Sequence, residues 1–468
     1  MEKNQEKTGT VIAVGSNGEG ILKEDGLVVF LPFSYIGEKV RYKVLKVTKN
    51  CAYGKVLEVL TPSEERVRTF CPVYQKCGGC QISHLNYSTQ LRVKENNVKN
   101  CFSKIARLDV NVLPCEKSPK QFNYRNKLQL PVSCSENGAV MGFYATNSHR
   151  VVPIDDCPIN PAWTKNLICA FKKYFKEFNV FGYDEKTNSG DIREVTAKEI
   201  DGKLIITVVC LVDSIKGKDR LIELLKEHVK LEFSLFYNKN AKQTNVIYGE
   251  EFKLLYGDGT YSSTMLGINY KIGVQSFMQV NTLVCEKLYN EVKNAVNCNG
   301  ENVVIDAYSG AGLMTAILAK DSKRAIGVEI VKEAVDLAND LAKDNGLENK
   351  IKNYNAKCED VIPKIVKEES LKTDNLSIVL DPPRKGCDIK VINAIKESGV
   401  QKIVYVSCMP STLARDVGLL VGTLEVEDGQ IVIAENPKVQ YQIEYVKPFD
   451  MFPETKHVET LVVIKKSN

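Results

Sequence analysis

The run "NVVIDAYSGAGLMTAILAK", from Asn302 to Lys320, constrains this chain most. It joins an apolar strand to a helix through a turn holding Gly310 and Gly312, which is how a doubly wound α/β sheet begins. The pattern then repeats. "RAIGVEI" reads as a second buried strand, "VKEAVDLANDLAKDNG" as a helix stopped by Gly346, and "LSIVLDPP" and "KIVYVSC" as two more strands. Near-continuous apolar strands alternating with helices imply a parallel sheet covered on both faces, with ligands at the carboxyl ends of its strands. Residues 275–468 are therefore expected to form one α/β domain of Rossmann-like type.

The upstream sequence has a different texture. Short strand-like runs such as "GTVIAVG" and "EKVRYKVLKVTKN" are punctuated by glycines, and in "KVRYKVLKV" apolar and polar residues alternate with period two, which predicts a small β-barrel over residues 1–62 with "TPSEERV" as the linker out of it. Residues 63–274 mix strands such as "KLIITVVCLV" and "SLFYNKN" with the amphipathic "DRLIELLKEHV", an α+β domain. A helix is predicted from about Ser88 to Leu108, its apolar face made by Leu91, Val98, Phe102 and Ile105, with Lys94, Lys99 and Lys104 off that face. Such a multidomain plan suits 468 residues. The formal net charge of +5 permits a polyanionic partner without demanding one. "MEKNQEKTGT" resembles no targeting segment, and no apolar run reaches the roughly 18–20 residues of a membrane span, so a cytoplasmic protein with no membrane partner is expected. There, 15 cysteines point to metal binding, catalysis or packing rather than to disulfides.

The strand ends carry the chemistry. "DAYSGAG" lacks the third glycine of a dinucleotide fingerprint, since Thr315 stands in its place, which weighs against a pyrophosphate-containing cofactor. Glu329 ends the next strand and is placed to hold ribose hydroxyls, so S-adenosylmethionine matches better. "LDPPRKG" leaves Asp381 facing the same crevice, and "VYVSCMPSTLARD" puts Cys408 between a buried strand and a helix beginning near Pro410. The positive end of that helix is expected to lower the thiol from its ordinary pKa of about 8.5 toward neutrality. A thiolate beside a methyl donor suggests addition to C6 of uracil, which makes C5 nucleophilic. A base must then remove the C5 proton. Glu459 in "HVETLVVIKK" is the candidate and His457 the alternative. "CPVYQKCGGC" supplies Cys71, Cys77 and Cys80 for a metal site that spacing alone leaves open between zinc and an iron-sulfur cluster. Cys157 in "DDCPI" is the candidate fourth ligand, with Cys101, Cys115 and Cys134 as competitors.

Taken in order, "CPVYQKCGGC", "DDCPI", "SFMQVN", "DAYSGAG", "VEI", "LDPPRKG", "VSCMPSTLARD" and "HVETLVVI" resemble the motifs of bacterial 23S ribosomal RNA uracil-C5 methyltransferases over nearly the whole chain. The resemblance implies an OB-like TRAM barrel that binds RNA, a [4Fe-4S] cluster on Cys71, Cys77, Cys80 and Cys157, and contacts to S-adenosylmethionine from Gln279, Tyr308, Glu329 and Asp381. It implies Cys408 as nucleophile, Glu459 as general base, and Arg125 with Lys127, in "NYRNKLQL", near the RNA. The expected partner is 23S rRNA, with no obligate protein partner. Transfer RNA is the alternative substrate; a non-catalytic RNA-binding iron-sulfur sensor is the alternative of another class. Met409 and Ser83 depart from the family pattern, where asparagine and glutamine are usual, and bear on which uridine is chosen.

Overall fold

The structure is a computed structural model that describes residues 1–136, 138–436 and 440–467. Its first sheet has six strands between Glu6 and Thr61, and they curl around one small core made by Val11, Leu22, Val29, Leu31, Val40, Tyr42, Val44 and Ala52. The alternation in "KVRYKVLKV" does this work: Val40, Tyr42 and Val44 face inward while Lys39 and Arg41 face out. The segment expected as a linker is fastened instead. Arg66 pairs with the fully buried Glu38 and donates to the Phe33 carbonyl at 2.8 Å, while Glu65 accepts from Thr89 Oγ1 at 2.6 Å.

The predicted helix spans Tyr87–Cys101 and runs on as a wider turn over Phe102–Ala106. Asn86 caps it by accepting from the Thr89 amide at 2.9 Å. Val98 and Phe102 are buried as expected, but Lys94 is not on the solvent side. It is fully buried, paired with Asp450, and donates to the Phe452 carbonyl at 2.9 Å. A buried ammonium persists only with such partners, and these arrive from 356 and 358 residues away, beyond the reach of a helix-periodicity argument.

A seven-stranded sheet between Lys127 and Tyr256 follows, with the helices Trp163–Glu177 and Lys218–Val229 against one face through Leu167, Phe171, Leu221 and Leu225. The last large sheet also has seven strands. Ile351–Asn355, Arg324–Glu329, Val303–Ala307, Leu376–Leu380 and Lys402–Ser407 run parallel in that spatial order. Two more strands, Glu459–Lys466 and then Tyr441–Phe449, complete it antiparallel. The expectation of a purely parallel sheet is thus corrected: the chain returns through Asp450–Val458, short enough to reverse direction but not to cross over a face.

Candidate active site

Parallel register aligns the carboxyl ends of the central strands. Ala307 pairs with both Val328 and Leu380, so Tyr308, Glu329 and Asp381 leave the sheet side by side. Gly312 has φ +79°, and a Cβ there would lie 2.7 Å from the Ala338 side chain, so the helix can start this close to its neighbour only with glycine. Tyr308 adopts φ +67°, uncommon for a tyrosine, and its half-buried ring lies against Cys358 and Cys387. The amides of Gly310 and Val331 donate to the two oxygens of Glu329 at 3.1 and 2.8 Å, which fixes that carboxylate across the turn. Thr315, read as a missing glycine, has a positive role: its hydroxyl donates to buried Asp306 at 2.5 Å. Burial pushes Asp306 up to about 7, with Asp381 and Glu329 adding to the rise. Asp381 is also raised by the protein around it, although solvent still reaches its side chain.

The antiparallel strand brings the candidate nucleophile and the candidate base together. Ser407 pairs with Thr460, so Cys408, just past the end of one strand, sits beside Glu459 at the start of the other. Glu459 is buried, and burial with the neighbouring Asp381 raises its carboxyl well above the usual range; Arg384 opposes this. The thiol of half-buried Cys408 is likewise raised, by burial first and then by Glu459, while Arg384 lowers it through a side-chain contact. The helix does begin at Pro410, but the expected lowering of the thiol pKa does not result. One helix end supplies only part of a charge, and it is outweighed by desolvation and an adjacent carboxylate.

Arg384 is the residue that the sequence reasoning missed, although it stands inside the quoted "LDPPRKG". Its loop is pinned by the helix after Cys408. Thr412 Oγ1 donates to the Arg384 carbonyl at 3.1 Å, Arg415 to the Lys385 carbonyl at 2.8 Å, and Asp416 accepts from the Cys387 amide at 2.8 Å. "STLARD" therefore holds the arginine near the thiol. His457 precedes the strand, and burial together with Lys456, Arg384, Lys94 and Arg125 lowers it to about 4.

The remaining candidates lie around this centre. Gln279 is half-buried in the segment before the Thr282–Val296 helix, its carbonyl accepting from Asn126 at 2.9 Å. Arg125 donates to the Lys127 carbonyl at 3.0 Å and is near enough to His457 to depress it, whereas burial and Arg125 lower Lys127. Cys71, Cys77, Cys80 and Cys157 form no disulfide and lie within electrostatic reach of one another. Cys157 is pushed up to about 12 by burial, with Cys71 and Cys77 contributing. The competitors go elsewhere: Cys115 faces Asp450 and Lys94, Cys101 is near Lys104, and Cys134 donates to the Gly182 carbonyl at 2.9 Å. Among the described residues no three His, Cys, Asp or Glu side chains converge as ligands of a metal ion.

Comparison with known proteins bears on this geometry. The family described as tRNA (uracil-5-)-methyltransferase matches residues 86–467. A protein of Clostridium acetobutylicum named an uncharacterized RNA methyltransferase is 35% identical over 100% of this chain and 98% of its own. One of Halalkalibacterium halodurans, named likewise, is also 35% identical, with the same coverage of both chains. Among solved structures, the Pyrococcus abyssi tRNA (uracil-54, C5)-methyltransferase in complex with S-adenosyl-L-homocysteine shares the fold, with a TM-score of 0.75 at 24% identity over 98% of this chain and 100% of that one.

Proposed function

The chain belongs to the tRNA (uracil-5-)-methyltransferase family of RNA methyltransferases, and from that premise we propose that it transfers a methyl group from S-adenosylmethionine to C5 of uridine in 23S rRNA. The adjacency of Cys408 and Glu459, produced by the Ser407–Thr460 register, carries this reading. Tyr308, Glu329 and Asp381 leave the end of the sheet where the cofactor would sit, Gln279 would join them from the segment before the Thr282–Val296 helix, and Glu329 keeps oxygen lone pairs free for ribose hydroxyls. When bound, S-adenosylmethionine supplies an electrophilic methyl on a sulfonium.

Cys408 acts first as nucleophile. Its thiolate forms a bond to C6 of the uracil, and the C5–C6 π electrons move into an enolate over C5, C4 and O4. Arg384 stabilises the thiolate. C5 of the Cys408 adduct would then accept the methyl that bound S-adenosylmethionine supplies, the electrons of the broken S–C bond staying on sulfur. Glu459 removes the C5 proton, the electrons of that C–H bond restore C5=C6, and the thiolate departs. A raised carboxyl pKa makes Glu459 a stronger proton acceptor once ionised.

Cys71, Cys77, Cys80 and Cys157 lie within electrostatic reach of one another without converging as ligands among the described residues, and a [4Fe-4S] cluster is the group that these four thiols would hold. Its function would be structural, because the reaction passes no electron. Anaerobic purification should yield iron and inorganic sulfide in equal amounts; zinc in their place would refute the assignment. RNA contact is expected from the N-terminal sheet, read as a TRAM barrel, and from Arg125 and Lys127. Phe70, 76% exposed and edge-to-face with Phe122, offers bases a stacking surface nearby.

Transfer RNA is the second reading, and one observation favours it. The Pyrococcus abyssi protein, titled a tRNA enzyme, aligns over 98% of this chain, so the N-terminal sheet does not by itself separate the two substrates. Incubation with 23S rRNA and with tRNA, each transcribed with 5-fluorouridine, distinguishes them. Fluorine at C5 cannot leave as a proton, so the true substrate should be trapped on Cys408 after methyl transfer. Trapping of tRNA alone would overturn the ribosomal assignment, and trapping of neither would overturn the covalent mechanism.

A further inference from the structure

The loop that carries Cys77 and Cys80 is braced against the segment that delivers Glu459. Phe449 and Glu459 are a paired position of the last sheet, so Asp450–Val458 is a closed loop whose shape sets how the chain enters the strand at Glu459. Residues 74–124 grip that loop. Gln81 Nε2 donates to the Gly78 carbonyl at 2.8 Å, and Gln81 Oε1 accepts from the Lys456 amide at 3.2 Å. The Ile82 amide donates to the Glu454 carbonyl at 3.2 Å. Glu454, buried and at φ +71°, exchanges bonds with Gln90: its amide donates to Gln90 Oε1 at 3.0 Å, and Gln90 Nε2 donates to its carboxylate at 3.1 Å. Gln121 Nε2 donates to the same carboxylate oxygen at 2.7 Å, and Tyr124 donates to the Pro453 carbonyl at 3.1 Å.

A left-handed, buried glutamate is costly unless its surroundings fix it, and here two hydrogen bonds to the carboxylate and two to the backbone of Glu454 do so, five residues before Glu459. We infer that Gln81, Gln90 and Gln121 are positioning residues for the base, and that the cysteine-bearing loop exists in part to aim Glu459 at the C5 proton. The inference rests on the reading of Glu459 as general base. It gives the cysteine loop a part in catalysis that requires no electron transfer, because a misplacement on the order of 1 Å is enough to cost about a hundredfold in rate.

The test follows the last chemical step. The full-length protein, purified anaerobically, is mixed with its RNA and S-adenosylmethionine, and denaturation-resistant protein–RNA adduct is quantified on ordinary RNA and on RNA deuterated at C5 of uridine. Gln81→Ala and Gln121→Ala leave Cys408 and the cofactor side of the cleft intact. Each should slow turnover by about tenfold, accumulate the methylated adduct, and expose a deuterium isotope effect that the wild type hides. Gln81→Glu keeps the acceptor for the Lys456 amide and should restore part of the rate. A loss confined to stability would lower turnover without adduct or isotope effect and would overturn the inference. Gln121 is partly exposed and distant in sequence from the cysteines, so Gln121→Ala decides the matter if Gln81→Ala fails to fold. Glu459→Gln run in parallel separates the two readings. If it accumulates adduct while both glutamine variants do not, only the positioning inference falls; if it accumulates none, the base assignment falls with it.

Discussion

The two halves of the cleft are built on opposite principles. On the parallel side the acids are tied down: Asp306 by Thr315, and Glu329 by two backbone amides. On the antiparallel side burial raises Cys408 and Glu459, the neighbouring Asp381 raises both further, Glu459 adds to the rise of the thiol, and Arg384 opposes both shifts. Binding needs a fixed shape, so hydrogen bonds fill the first half. The proposed proton transfer needs groups that change charge readily, which suits a thiol and a carboxyl both held above their ordinary range.

Substitutions should separate these halves. Cys408→Ala should reduce methyl transfer at least about a thousandfold while leaving affinity for S-adenosylmethionine within about twofold, measured by transfer of labelled methyl and by calorimetry. A loss of cofactor affinity of similar size would show that the halves are not separable. Arg384→Met comes next. Because the Cys408 thiol is raised, the thiolate is the minor form at neutral pH, and alkylation by iodoacetamide should climb as pH rises past the ordinary thiol value of about 8.5. Removing the cation should move that curve further alkaline and cost about tenfold in methyl transfer at neutral pH, recovered in part at high pH. A curve that stayed in place would mean that Arg384 does not serve the thiol. Glu329→Gln should have the smallest effect: cofactor binding weakened about tenfold, with a near-normal rate at saturation. A fall in the saturated rate instead would join the cofactor side to the chemistry.

How far the sequence could be read follows the same division. Four of the parallel strands were legible because each is a contiguous apolar run ending at a candidate site residue, as Ala307 leads to Tyr308 and Leu380 to Asp381. "IKNYN", the strand Ile351–Asn355, escaped because an edge strand with a polar composition has no such run. Nothing local in the helical spacing of "VKENNV", Val93 to Val98, could reveal that Lys94 is buried, since its partner is Asp450. The thiol's environment was misjudged for the same reason: the helix at Pro410 is a local feature, whereas Glu459 and Arg384 reach Cys408 only through the sheet.

The grip of residues 74–124 on Asp450–His457 also sets a schedule for making the protein. Gln90 meets Glu454 across 364 residues, and a ribosome adding roughly 5–20 residues per second needs on the order of half a minute to span that gap. Until then Lys94 lacks Asp450 and Gln90 lacks Glu454, and Cys408 has been synthesised without Glu459 beside it. A nascent or truncated chain can therefore offer a strand-end thiol but not the completed pair, so with Glu459 as the proposed base, release of a methylated product would have to wait for the strand Glu459–Lys466.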